Sequence, residues 1–161
     1  MTPFTVFHVV LSIAAILSGF VVLWGMLMGN RLNTWTVAFL ALTVATSVTG
    51  FCYFPFLGFT PGQAFGILSM ILLAVAIYSR SVRQLSGVWC RIYVITALLA
   101  LYLNTFVLIV QSFQKVPAFK DLSTTQVPFA IIQGVVFLFF LGLGILAAIR
   151  FPAAIRQSSG S

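Results

Sequence analysis

Five separate runs of about 20 or more residues, almost free of charged side chains, limit what this chain can fold into. They cover approximately residues 4–28, 34–54, 60–78, 88–113 and 126–149. A helix of that length, rising 1.5 Å per residue, spans a hydrocarbon layer of roughly 30 Å. In such a medium no water satisfies the peptide groups, so each run must close its own hydrogen bonds as a helix. The 161 residues are 61% hydrophobic, with a mean hydropathy of +1.18, more apolar surface than a soluble core could hide. The expected fold class is therefore all-α, an integral membrane bundle of five transmembrane helices. It forms a single domain over 1–156, with 157–161 as a disordered or artificial tail.

Charge sets the expected orientation. With five spans, one face carries Arg31, Arg80, Arg83, Arg91, Arg150 and Arg156, while the other carries Lys115 and Lys120. Six against two puts the N-terminus outside and the C-terminus in the cytoplasm, and argues against a dual-topology protein. The same scatter of basic residues excludes a nucleic-acid patch, because there is no soluble domain to gather them. No Lys or Arg precedes the first apolar run, so that run reads as a retained span rather than a cleaved leader. Cys52 and Cys90 fall at opposite ends of their spans, too far apart for a disulfide.

The connections carry their own signals. In "GNRLNTW" Gly29 can end the first helix and Asn33 or Thr34 can cap the second. Between the second and third runs, "FPFLGFTPGQ" ends in a capping box, with Thr60 as N-cap, Pro61 at the first helical position and Gln63 three residues on. "SRSVRQLSGVWCR" is the most basic segment, and its Arg80, Arg83 and Arg91 beside Trp89 suit a headgroup layer. Gly19, Gly25, Gly134, Gly142 and Gly144 are expected at close helix contacts, and most of the 17 Phe are expected to face lipid.

Catalytic chemistry is thin. One His, two Cys, one Asp and no Glu cannot build a self-contained metal or nucleophile centre, and no phosphate-loop or dinucleotide glycine pattern occurs. No cofactor is predicted. A quinone, or haem through His8 alone, is compatible with the residues, but nothing in the sequence calls for either. What remains is a set of neutral polar residues whose heights follow from the helical rise. Gln111 lies about 5 Å below the outer surface, Asn104 about 15 Å, His8 about 9 Å and Gln133 about 10 Å, with Thr46 and Thr49 at similar depths. His8, Thr49, Gln111 and Gln133 are therefore the expected ligand-binding group, and Asn104 and Thr46 the expected interhelical hydrogen-bond glue.

The stretches "NTWT…TSVTGF" and "LYLN.FVL.VQ.F.K.PA", spread over residues 7–150, resemble a group of small bacterial inner-membrane proteins with no assigned activity. The resemblance implies five spans in a bacterial inner membrane. In that group a His often stands at the position of Gln63, and the last loop carries an acidic Glu-Pro-Pro stretch in place of "TTQVPF", so an outer polar site of the group would be weakened here. Asn104 and Gln111 fit the group's pattern.

The expected function is an accessory or interaction subunit without its own catalysis, or a binder of a small lipophilic ligand in the outer half of the bundle. A small oligomeric transporter or channel is the first alternative, and a membrane redox protein using haem or quinone the second. The expected partners are the bilayer, a membrane protein or a second copy of the chain.

Overall fold

The computed structural model describes residues 3–53, 61–115 and 127–158. Within them the chain is all-helical: α1 (Pro3–Leu27), α2 (Asn33–Tyr53), α3 (Pro61–Ser81), α4 (Val88–Lys115) and α5 (Val127–Ser158). All five are long and apolar enough to cross a membrane. Thr60, the loop around Pro55 and Gly58, and the segment with Lys120 and Asp121 lie outside the described residues, as do 159–161. The capping box can thus be followed only as far as its start, with α3 beginning at Pro61 as expected.

The turns explain the antiparallel order. At the end of α1 the Asn30 N–H donates to Gly25 O at 2.8 Å and the Gly29 N–H to Met26 O at 3.2 Å, a complete Schellman closure. It needs a left-handed residue, and Gly29 has φ +75°. α2 starts at once, its first backbone bond running from Thr36 N–H to Leu32 O at 2.9 Å. Between α3 and α4 the chain reverses through Gln84 at φ 52°, Leu85 at φ 58° and Gly87 at φ 54°. Leu85 is an uncommon residue there, and its buried side chain, packed into the core, offsets the backbone cost of about 1 to 2 kcal/mol.

Helices α1 and α2 pack as one pair and α3 and α4 as another, with α4 also touching α1 and α5. α4 is the most buried helix because it has neighbours on several sides. α5 is the least buried because it leans mainly on α4, with a smaller contact to α1. The interior is filled by Ile16, Phe39, Val94, Ala97, Leu98, Ala100 and Leu101, and is closed towards the arginine end by Tyr93 and Phe151. Gly19 lets α1 approach: a Cβ there would lie 2.5 Å from Leu101 Cδ1 and 2.9 Å from the Phe39 ring. The expectation for α5 is corrected, since a Cβ at Gly134 or Gly142 meets nothing within 4 Å. Those glycines lie where α5 has no neighbour. The phenylalanines also divide, with Phe39, Phe113, Phe140 and Phe151 buried while Phe7, Phe137 and Phe139 point outward.

The last helix runs past the expected end at 149 to Ser158. Pro152 sits inside it, and the Arg156 Nε donates to its carbonyl at 3.3 Å. Phe151, Pro152 and Ile155 are buried, and a Cβ on Gly29 would touch Ala154, so packing against the α1–α2 turn holds this extra length. Gln157 and Ser158, expected in the tail, are its final residues.

A candidate ligand cavity in the His8 half of the bundle

The start of α1, the end of α2, the start of α3 and the end of α4 meet at one end of the bundle and leave a cavity of about 160 Å³ among them. That is about the size of the ~150 Å³ engineered cavity that accepts benzene, so it holds one six-membered ring. Val9, Phe51, Phe65, Leu103, Val107 and Leu108 make much of the wall. His8, Thr46, Ser47, Ser69, Asn104 and Gln111 interrupt it with polar groups.

Most of these groups are already engaged by the protein. His8 Nδ1 lies 2.8 Å from Thr49 Oγ1, and that hydroxyl lies 2.8 Å from Ala45 O and 3.1 Å from Thr46 O. Thr49 has one hydroxyl proton, which goes to its own helix. With its proton so placed, the Thr49 oxygen accepts from His8 Nδ1–H. Ser12 and Ser47 likewise donate to the carbonyls four residues back, at 2.8 and 3.0 Å. Ser69 meets Ser47 at 3.4 Å, and Asn104 Nδ2 donates to the buried Thr43 Oγ1, also at 3.4 Å.

Two wall residues differ. Thr46 Oγ1 and Gln111 Oε1 are buried and have no hydrogen-bond partner, although Thr46 is only 8% exposed. An unpaired buried oxygen costs about 1 to 3 kcal/mol, which a guest that donates a hydrogen bond recovers in part.

The expected ligand group is therefore regrouped. His8 and Gln111 line the cavity. Thr49 lies behind His8 and orients it rather than facing a guest. Gln133 is not part of the cavity at all: it sits on the α5 side of α4, where its Nε2 donates to Phe106 O at 3.3 Å and its Oε1 is left buried and unpaired. Its height was similar to that of Gln111, but α4 stands between them. Thr46, expected as glue, makes no interhelical bond and lines the cavity instead. Asn104 bonds across to α2 and also contributes to the wall.

Sequence reasoning passed over Ser47, Ser69 and Gln63 as wall residues. The signal for two of them was faint: Ser47 lies in the hydroxyl-rich "TSVTG", and Gln63 was read only as part of a cap. Nothing around Ser69 marks it. Among the described residues, no three His, Cys, Asp or Glu side chains come together.

At the other end of the bundle the expected headgroup residues are arranged by aromatic rings. The Arg83 guanidinium lies 5.0 Å from the centre of the Trp89 ring, which meets Tyr78 edge-on at 5.3 Å. Arg80 lies over Tyr93, and Arg91 is exposed. Comparison of the chain with protein-family models, with curated proteins and with solved structures finds no match.

Proposed function

We propose that the chain is a multi-pass protein of a bacterial inner membrane, with its N-terminus outside and its C-terminus in the cytoplasm. Its role there is to bind a small lipophilic molecule without transforming it. The outward faces support the membrane reading, since Leu17, Trp24, Leu138 and Ile149 are each more than 60% exposed and no belt of charge covers them. The arginines support the orientation: Arg31, Arg80, Arg83, Arg91 and Arg156 gather at one end, with Arg150 six residues, about 9 Å, before Arg156 on α5.

The observation that carries the binding reading is a ring-sized cavity whose walls include two oxygens left unpaired by the protein, Thr46 Oγ1 and Gln111 Oε1. A flat ring that carries hydroxyl donors, such as a quinol head, matches that volume and mixed wall. A through-path is disfavoured, because below Asn104 the interior is closed by Phe39, Leu98 and Leu101. The protein then acts as a holder or accessory subunit rather than a channel.

Native mass spectrometry of the purified full chain, with and without a short-tailed benzoquinol, tests this. A retained one-to-one adduct that Val107→Phe abolishes is expected, because the added ring fills the wall of the cavity. Equal adduct levels in the parent and Val107→Phe would overturn the reading.

A further inference from the structure

A second hollow of about 350 Å³ lies at the opposite end of the bundle, between the α1–α2 connection and the end of α3. Arg31, Asn33, Arg80, Ser81, Gln84 and Leu85 line it. The Tyr93 ring, Val94, Phe39 and Leu101 separate it from the cavity near His8, so the two are independent.

Arg80 is a fixed cation. One guanidinium nitrogen donates to Asn33 Oδ1, and the group lies 5.6 Å from the centre of the buried Tyr93 ring. A guanidinium has five N–H donors, so these contacts orient it and leave others for an anion. Arg31 stands on the opposite lip and is exposed. The start of α2 adds to the field. Its first backbone bond is made by Thr36, so the N–H groups of Asn33, Thr34 and Trp35 form the positive end of the helix dipole. Asn33, whose side chain could have capped that end, gives its oxygen to Arg80 instead.

The last carbonyls of α3 on the facing side already have donors. Tyr78 O accepts from Val82 and Arg83, Ser79 O accepts from Leu85, and Ser81 O accepts from Gln84 Nε2 at 2.6 Å. Among the described residues there is no Asp or Glu, the chain's only carboxylate side chain being Asp121. Two guanidinium groups and the start of α2 thus meet at one hollow, with no carboxylate side chain among the described residues to oppose them.

We propose that this hollow binds a phosphate oxyanion, supplied by the headgroup of an anionic membrane lipid. The planar fork of Arg80 suits bidentate contact with two phosphate oxygens, Arg31 closes from the other side, and the Ser81 hydroxyl offers a neutral donor. The hollow lies at the end of the helices, the height at which a bilayer presents its phosphates.

The test uses the full chain in nanodiscs of equimolar phosphatidylglycerol and phosphatidylcholine, with retained lipid counted by native mass spectrometry. Unfolding temperature is followed in parallel with phosphatidylglycerol or inorganic phosphate added in detergent. Preferential retention of phosphatidylglycerol is expected, falling about fivefold in Arg31→Gln and again in Arg80→Gln. Arg150→Gln removes the same charge outside the hollow and should leave the preference within about twofold. Stabilisation by inorganic phosphate without a lipid preference would keep the oxyanion site and assign it a soluble source. Equal loss in Arg150→Gln, or no response to either probe, would overturn the proposal. Substitution of Arg31 leaves the Asn33 and Tyr93 contacts of Arg80 intact, so that variant decides the matter even if Arg80→Gln does not fold.

Discussion

Replacing Gln111 by leucine separates a binding site from interhelical glue, because the two roles move stability in opposite directions. In the unliganded protein Gln111 Oε1 is buried and unpaired, so the side chain carries a desolvation cost of about 1 to 3 kcal/mol without a compensating bond. Leucine removes that oxygen and keeps much of the volume. The unliganded protein should therefore hold its stability or gain about 1 kcal/mol, which for a chain of this length raises the unfolding temperature by roughly 2 to 4 °C. Binding should weaken instead. Loss of one hydrogen bond of about 0.5 to 1.5 kcal/mol lowers the affinity for a ring-bearing alcohol or quinol by roughly two- to tenfold. Thermal unfolding in detergent, followed by intrinsic fluorescence with and without the ligand, reads both quantities. A Gln111→Leu protein that melts earlier and binds as before would refute the reasoning and make Gln111 a packing residue.

Asn104 should behave in the reverse sense, since its Nδ2 bonds Thr43 across the α2–α4 contact. A double-mutant cycle of Asn104→Leu with Thr43→Val should give a coupling of about 0.6 kcal/mol by the same melting assay, and additive effects would count against that bond. Gly19→Ala drives a Cβ to 2.5 Å from Leu101 and should cost about 1 to 3 kcal/mol. Gly134→Ala meets no atom within 4 Å and should be neutral or stabilising, so equal melting of the two variants would contradict the packing of α1 and α5. Orientation is open to labelling: Ser86→Cys, exposed in the α3–α4 turn, should react with a membrane-impermeant maleimide only from the cytoplasmic side once Cys52 and Cys90 are alanine. Reaction in intact cells would reverse the topology.

Much of the helical framework could be read along the chain. The apolar runs located the helices to within a few residues, apart from the end of α5, and Gly29 ended α1 where a left-handed residue was needed. The end of α5 escaped because Arg150 and Pro152 look like a boundary, whereas burial of Phe151 and Ile155 carries the helix through them. The site was legible only in part. The sequence grouped His8, Thr49, Gln111 and Gln133 by height, and the structure kept His8 and Gln111 on the cavity wall, put Thr49 behind the imidazole and separated Gln133.

The rise per residue is a property of the helix itself, so the sequence alone determined how far along the bundle each polar group lies and which end collects the arginines. The direction in which a group points depends on which neighbour its helix finds, and nothing local to the helix encodes that choice. Only the packing of α5 on the far side of α4 separated Gln133 from Gln111. Only the meeting of α1, α2, α3 and α4 left a ring-sized space beside His8, with Thr46 and Gln111 as wall residues whose oxygens lack a partner.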